Sequence, residues 1–195
     1  GLAGLETPPD VIIAANDDMA LGAMQAVTDL GLAGEIDILG FDALPEALEA
    51  VMNGGLAGTV EQFPGLQGRT ALNIAVDFAL NGTEPESDLV LLSPVVITAD
   101  TVMEAERIGE VEGMGEAESA AMFADDIAAC EGDDLLVLSS MPDMAFPFFV
   151  HMQAQGRDEA MAIGGIELLE SDGESSSSKQ TADIEAAIVQ GVNAI

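Results

Sequence analysis

The chain has 195 residues, of which 49% are hydrophobic and only 4% are aromatic, with neither Trp nor Tyr. That apolar fraction supports a packed core, so wholesale disorder is not expected. Asp and Glu number 36 against 4 Lys and Arg, which gives a net charge of −32. Such a charge repels nucleic acid and anionic membrane surfaces, and no apolar run is long enough to cross a bilayer. The composition therefore predicts neither nucleic-acid binding nor membrane insertion.

The front part of the chain alternates between strand and helix patterns. Short apolar runs at residues 11–15, 36–41 and 56–60 predict three strands. Helices are predicted after Asn16 up to Gly31, from Pro45 to the glycine pair at 54–55, and over residues 66–80. Residues 88–92 and 95–98 are interpreted as extended segments.

Residues 102–133 differ in amino-acid composition from the segments before and after them. They carry many glutamates and few large apolar side chains, and the best helix candidate among them is residues 120–130. We interpret this stretch as an acidic linker with weak helices, between a segment at 1–101 and a segment at 134–195.

The back segment returns to the alternating pattern. Strands are predicted at 135–138 and 166–169, helices at 148–163 and 181–190, and a further strand begins at residue 192. Strands that alternate with helices indicate βαβ units. The predicted fold is therefore α/β, with a three-layer, doubly wound, mostly parallel sheet.

The reactive side chains argue against catalysis. His151 is the only histidine and Cys130 the only cysteine, which excludes an internal disulfide and argues against His-based metal sites and a Ser-His-Asp triad. Adjacent aspartates at 17–18, 125–126 and 133–134 are interpreted as solvated, with weak cation binding as the alternative. We expect no enzyme activity and no cofactor.

Two pairs of stretches carry a resemblance to a known family. The front pair is VIIAANDDMALGAM and ILGFDALPEAL, and the back pair is MAFPFFVHMQ and KQTADIEAAIVQGVNAI. Both resemble the type I periplasmic sugar-binding proteins, the ribose-binding-like receptors of ABC importers. In that family the back pair opens the chain and the front pair lies close to its end. The resemblance therefore implies a circularly permuted or recombined order, with the family's middle segment missing.

The resemblance implies four ligand-binding residues in the front segment. Asn16 matches an Asn whose amide bonds a sugar hydroxyl, and Phe41 with Asp42 matches a Phe-Asp pair whose carboxylate takes two hydroxyls. Gln62 matches a Gln that contacts ligand near the hinge. On general grounds, ligands of open α/β sheets also bind at the carboxyl ends of strands. The alternative role for Asn16 is an ordinary helix N-cap.

In the back segment, Phe148 and Phe149 match a PFF motif in which one ring stacks on the apolar face of the sugar. Relatives often have Asn before that proline, whereas this chain has Phe146, which cannot make the usual polar contact. Ser140 or Asp143 is the proposed substitute. The alternative is that the two Phe rings belong to the core.

The function implied is non-catalytic binding of a small sugar or polyol by a periplasmic or extracellular receptor. An ABC importer permease is the implied partner, and closure about a hinge is the implied mechanism. Two architectures are open, two incomplete lobes or one combined flavodoxin-like domain, and the second is favoured because a chain of 195 residues with so few aromatics would support two truncated lobes poorly. The alternative functions are a permuted or engineered acidic scaffold without ligand and the sensor domain of a lac-repressor-type regulator.

The net charge leads to a prediction on salt. Two origins are open for it, adaptation to high salt and deliberate replacement of surface cations by acids. If the chain is halophilic, molar NaCl should raise the midpoint of unfolding well above its low-salt value, because counterions screen the self-repulsion. Circular dichroism is the measurement, since the chain has no Trp or Tyr to report by fluorescence. A midpoint that does not respond to salt would contradict the halophile hypothesis.

Overall fold

The computed structural model describes residues 4–85, 87, 89–112, 114 and 135–195. The chain divides into two compact units, each built from two separate stretches. Unit 1 comprises Gly1–Phe63 and Leu92–Ala124, and unit 2 comprises Pro64–Leu91 and Asp125–Ile195. Strands of the front segment and strands of the back segment therefore lie in different units and in different sheets. The predicted segment boundaries at 101 and 134 stay a prediction.

Strands and helices alternate along most of the described chain. The elements are β1 (Val11–Ile13), α1 (Asp17–Asp29), β2 (Asp37–Leu39), α2 (Pro45–Met52), β3 (Thr59–Glu61), α3 (Pro64–Asn81), β4 (Val95–Ile97), β5 (Leu135–Met141), α4 (Pro147–Ile163), β6 (Ile166–Asp172) and α5 (Ser177–Gln190). Two 3-10 helices, Val102–Glu104 and Ile108–Glu110, follow β4. The α/β class predicted from the sequence is confirmed. No helix in the described ranges is long and apolar enough to span a bilayer.

The two two-stranded sheets of unit 1, β1–β2 and β3–β4, are joined side by side and together bring three strand ends to one edge. β1 and β2 pair in parallel, with Ile13 opposite Leu39, and a parallel bridge joins Leu39 to Gly58 just before β3. The pairing continues past the strands, because Asp42 N–H donates to the Val60 carbonyl at 2.9 Å. Residues that follow β1, β2 and β3 are thus neighbours, as expected at the carboxyl edge of parallel strands. β4 pairs antiparallel with β3.

Local sequence signals set the helix ends of unit 1. The Asn16 side chain caps α1 by accepting the Met19 N–H at 3.0 Å. Gly31 follows the helix with a φ of 73°, which is the conformation that glycine adopts without a steric penalty. Pro45 is the first residue of α2, where its missing N–H leaves no donor unsatisfied. These three predictions are confirmed.

The core of unit 1 includes residues predicted to lie in a linker. Val102, Ala105, Ile108 and Val111 are buried in the same cluster as the sheet and the first two helices. They recur every three residues, which is the repeat of the 3-10 helices in this stretch. The other buried members are Ala20, Val27, Ile36, Ile38, Ala43, Leu44, Ala47, Leu48, Ala50, Val51, Leu56 and Ile97. Residues 102–111 are therefore an integral part of unit 1.

Unit 2 packs two helices closely against each other beside a parallel sheet. β5 and β6 pair over seven residues each, and a single bridge joins Val137 to Ala194. α3 meets α4 at Gly68, where an added Cβ would lie 2.4 Å from the Met152 carbonyl oxygen. Along the same contact, Asn73 Nδ2 donates to Glu159 Oε1 at 3.2 Å. The core of this unit consists of Leu72, Val76, Leu135, Val137, Ala160 and Ile163.

Several predicted elements differ from the structure at their boundaries. α3 begins at Pro64 and not at Leu66, while β5 and β6 are longer than predicted. Residues 89–92 form no strand, and the end of the chain contributes a single bridge where a strand was expected to begin. Asp88 and the helix predicted over residues 120–130, with Cys130, lie outside the described residues.

Candidate functional site

All four residues predicted in the front segment lie at the carboxyl edge of the unit 1 sheet. Asn16 follows β1, Phe41 and Asp42 follow β2, and Gln62 follows β3. Each of these side chains is half-buried. Gln62 Nε2 donates to Asp42 Oδ1 at 2.7 Å, so two of the four are in direct contact. The sheet thus assembles an amide, a carboxylate and a second amide at one edge.

Asn16 is a helix cap with spare hydrogen-bonding capacity. Its Oδ1 accepts the Met19 N–H at 3.0 Å, which is the capping role expected at this position. Within the described residues its Nδ2 makes no hydrogen bond. A side-chain amide carries two donors on nitrogen besides its acceptor oxygen. Capping therefore leaves Asn16 able to donate to a hydroxyl group.

Asp42 is displayed from a strained backbone. Its φ is 109° and that of the following residue, Ala43, is 51°. Two consecutive non-glycine residues in this region cost on the order of 1–3 kcal/mol each. Burial raises the pKa of the Asp42 carboxyl, the hydrogen bond from Gln62 opposes that rise, and the charge of Asp18 adds to it. The strain indicates that neighbouring groups hold this turn in place.

Asp17 is the functional candidate that the sequence did not reveal. The sequence pattern predicts a solvated acid, yet the Asp17 side chain is fully buried beside the turn that carries Asp42. Its Oδ2 accepts the Leu44 N–H at 2.8 Å and its Oδ1 accepts the Thr59 hydroxyl at 2.7 Å. An Asp in the first turn of a helix is ordinarily exposed, so the pattern contains no signal for this role. Its neighbour Asp18 is exposed, as predicted.

The buried carboxyl of Asp17 has a strongly altered affinity for protons. Burial raises its pKa to about 6, against the lowering effect of hydrogen bonds from Thr59 and Leu44, and the nearby charge of Asp42 raises it further. Desolvation disfavours the charged form of any carboxyl group. An ionised Asp17 at neutral pH is therefore held at a cost in stability.

Glu61 fixes the chain on either side of Gln62. This fully buried carboxylate accepts the Phe63 N–H at 2.6 Å and the Glu106 N–H at 3.0 Å. Phe63 has a φ of 57°, so the chain turns sharply directly after Gln62. Burial raises the pKa of Glu61, and its backbone hydrogen bonds oppose that rise. The position of Gln62 is thus set by its neighbours as well as by its own bond to Asp42.

Unit 2 holds the three residues predicted in the back segment. Phe148 and Phe149 lie in the first turn of α4, half-buried, with ring centroids 5.2 Å apart and planes near perpendicular. Phe146 joins them edge-on, 6.4 Å from Phe149, and is exposed over 43% of its surface. Ser140 lies in β5 and its hydroxyl accepts from Ser171 on β6 at 3.2 Å. These three aromatic rings form a cluster that is partly exposed to solvent. They are therefore not simply core residues, which was the alternative interpretation.

Asp143 lies in the loop between β5 and α4. Its carboxylate accepts the Ala145 N–H at 2.9 Å and the hydroxyl of Ser175. These hydrogen bonds lower the pKa of the carboxyl, with the bond from Ser175 as the larger cause. Asp143 is therefore an ionised acceptor already engaged by Ala145 in its own loop and by Ser175 in the loop between β6 and α5.

A metal site is not indicated by the described part of the chain. No group of three or more His, Cys, Asp or Glu side chains within it is arranged to hold a cation. The aspartate pairs at 125–126 and 133–134 lie outside the described residues.

An apolar cavity of about 140 Å³ lies within unit 2. α3, α4 and β5 supply most of its walls: Gln67, Gly68, Ala71, Leu72, Ala75, Val137, Leu138, Ser139, Met141, Met152, Gly156, Leu168 and Ile195. Only two of these side chains can form hydrogen bonds, and none is charged. Such a lining does not match the many hydroxyl groups of a sugar or polyol.

Comparison with known proteins finds similarity in the front of the chain. Residues 2–84 match the model of a family described as the periplasmic binding protein domain. The D-allose-binding periplasmic protein of Escherichia coli (strain K12) is 39% identical over 80 residues, which cover 40% of this chain and 26% of that protein. The ribose import binding protein of Salmonella typhimurium is 38% identical over 85 residues, 43% of this chain and 28% of that protein. The chain thus spans little more than a quarter of the length of these relatives.

A solved structure extends the comparison to the fold. A Caulobacter myo-inositol binding protein, solved with myo-inositol bound, is 51% identical, with a TM-score of 0.51. The match covers 54% of this chain and 36% of that one. The predicted resemblance to periplasmic sugar-binding proteins is confirmed, while the reversed order of segments stays a prediction. These relatives are binding proteins and not enzymes, and they favour neither the ligand-free scaffold nor the repressor sensor.

Proposed function

We propose that this protein binds a small sugar or polyol without catalysing a reaction. The observation that carries the proposal is the cluster of Asn16, Asp42 and Gln62 at the carboxyl ends of three neighbouring strands. A carboxylate offers two acceptor oxygens, and an amide offers both donors and an acceptor. Adjacent hydroxyl groups present donors and acceptors in pairs, so this set of side chains suits a polyol.

The names of the relatives support the same class of ligand. They bind D-allose, ribose and myo-inositol, which are compact molecules with four or more hydroxyl groups. Carried over as a proposal, such a ligand would bond Asn16, Asp42 and Gln62, with Phe41 beside them. For unit 2, taken by itself, we propose Phe148 and Phe149 as residues that can stack on the apolar face of a sugar, and Ser140 as a hydrogen-bonding hydroxyl.

The proposed partner and cellular location rest only on the similarity to periplasmic sugar-binding proteins. Receptors of this family deliver their ligand to an ABC importer permease, and we propose that partner for this chain. We propose a periplasmic or extracellular location on the same ground.

Calorimetric titration tests the proposal. The full chain is titrated with D-ribose, D-allose and myo-inositol, and its unfolding temperature is followed with each ligand. We expect saturable heat and a raised unfolding temperature with at least one of the three, because a ligand of the folded state stabilises it by mass action. The proposal would be contradicted if none of the three ligands produced either binding heat or a shift in the unfolding temperature.

Replacing Asp42 by Asn tests the role of its carboxylate. Asp42→Asn should weaken binding about 10- to 100-fold, because hydrogen bonds to a charged acceptor contribute about 1.5–3 kcal/mol. Asp37→Asn is the matched control: this exposed carboxylate lies at the opposite end of the same strand, β2. The control removes the same charge and should leave the affinity within about twofold. Equal losses in the two variants would show that overall charge, and not contact, is responsible.

A further inference from the structure

We propose that Asp17 is a positioning residue: its buried carboxylate holds the turn at residues 40–44 in the conformation that presents Asp42 to a ligand. The turn is observed directly, whereas its relevance to ligand rests on the proposed function. Asp17 itself is fully buried, so it reaches no ligand.

The turn requires an external support. Asp42 and Ala43 both have positive φ values, 109° and 51°, although neither is glycine. Residues with a Cβ occupy this region only when the surrounding structure over-determines it. Contacts with the surrounding structure must therefore hold Asp42 in this conformation.

Asp17 supplies that support at two points. Its Oδ2 accepts the Leu44 N–H at 2.8 Å, at the end of the turn, and its own N–H donates to the Phe41 carbonyl at 2.8 Å, near the start. Its Oδ1 accepts the Thr59 hydroxyl at 2.7 Å, and the oxygen of that hydroxyl in turn accepts the Ala43 N–H at 3.3 Å. The Asp17 side chain therefore holds the peptide groups on both sides of Ala43, directly at the Leu44 N–H and through Thr59 at the Ala43 N–H.

The Asp17 carboxylate packs directly against the backbone of Gly40. An added Cβ on Gly40 would lie only 2.0 Å from Asp17 Oδ1 and 3.2 Å from the Ala20 Cβ. Glycine is thus required at the first position of the turn by the close approach of the carboxylate.

Stability of the fold alone does not explain why residue 17 carries a carboxylate. Burial raises its pKa, which means that the ionised form is disfavoured in the folded protein. A buried charge is tolerated where its hydrogen bonds are needed, and here they all converge on the turn that bears Asp42.

The first test uses the full chain without ligand. Amide hydrogen exchange of Leu44 is compared with that of Ala14, whose N–H bonds the Leu39 carbonyl at 2.9 Å in the same sheet. Asp17→Ala should accelerate exchange at Leu44 at least about tenfold relative to Ala14, because the turn opens locally. Val27→Ala is the control, since it removes buried atoms near the other end of the same helix and leaves every hydrogen bond of the turn in place. It should leave the ratio of the two rates unchanged.

The second test uses myo-inositol, D-allose and D-ribose as probes. Asp17→Ala should weaken binding at least about tenfold, and Val27→Ala by less than about twofold, at a temperature where both variants are folded. Asp17→Asn should restore affinity to within about threefold of the wild type. Its amide oxygen still accepts from Leu44, and the Thr59 hydroxyl can reverse to accept from the new NH₂ group. A role in packing alone would not distinguish Asn from Ala in this way.

The outcomes separate the two proposals. An unchanged exchange ratio in folded Asp17→Ala would overturn the positioning role, whatever the sugars do. If the wild type binds no probe, the proposed function fails, while the exchange data still decide whether Asp17 holds the turn. If Asp17→Ala does not fold, Thr59→Val removes the hydroxyl between Asp17 and Ala43 with little change in volume. It should accelerate exchange at Ala43, and no acceleration would overturn the proposal.

Discussion

Acidification from about pH 7 to about pH 4 is expected to raise the free energy of unfolding by about 2–2.5 kcal/mol through Asp17 alone. The pKa of this carboxyl is about 6 in the folded protein and 3.8 ordinarily. Below about pH 4 the group is protonated in both states, and between about pH 4 and 6 only the folded state holds the proton. Above that window both states are ionised and the folded state contains a buried charge. Stability from this group is therefore complete at low pH and is lost as the pH rises through 6.

The variant Asp17→Asn isolates this contribution. Burial also raises the pKa of Asp42 and of Glu61, and relief of the −32 net charge acts in the same direction. All of these remain in the variant, so the difference between the two pH profiles reports Asp17. Urea unfolding followed by circular dichroism should show profiles that converge near pH 4 and separate toward pH 7, with the variant more stable there. Parallel profiles over the whole range would contradict the assignment.

Gly68→Ala is expected to destabilise unit 2 by about 2–3 kcal/mol, although alanine is the better helix former. The new Cβ would lie 2.4 Å from the Met152 carbonyl oxygen, so α3 and α4 would have to separate. The obstacle is a backbone atom, which cannot rotate away as the end of a side chain can. Unfolding in urea followed by circular dichroism measures the loss.

Gly156→Ala on the facing helix is the matched control. Its added Cβ would lie 3.8 Å from the Gly68 carbonyl oxygen, an ordinary contact. We expect this variant to gain about 0.5–1 kcal/mol from helix propensity, without a steric penalty. Opposite signs for two identical substitutions would demonstrate the close approach of the helices. A loss in both variants, or in neither, would rule that explanation out.

Much of the fold could be predicted because its signals are local. Asn16 marks a helix end through its side-chain oxygen, Gly31 and Pro45 do so through their backbones, and the structure places the ends there. Residues 102–111 contribute to the core of unit 1, although their glutamate content is typical of a solvated linker. The apolar repeat of three at Val102, Ala105, Ile108 and Val111 was present in the sequence and corresponds to two 3-10 helices.

In the candidate site, too, the residues with local signals could be predicted and the residue that depends on long-range contacts could not. Asn16, Asp42 and Gln62 follow strands, and the geometry of parallel sheets gathers such residues at one edge. The role of Asp17 depends on Thr59, which is 42 positions away, and on positive φ values at Asp42 and Ala43. Neither a contact of that sequence separation nor a strained conformation of an ordinary residue leaves a trace in local patterning.

The division of unit 2 between two stretches of chain has a consequence for assembly. α3 belongs to Pro64–Leu91, while α4 and the strands β5 and β6 come from the end of the chain. Supplied as separate polypeptides, residues 4–114 and 135–195 would each contain only part of this unit, with Leu72 and Val76 uncovered in the first. The buried interface of a single chain would then become a binding interface between two molecules. Its formation would depend on their concentrations, as in fragment complementation.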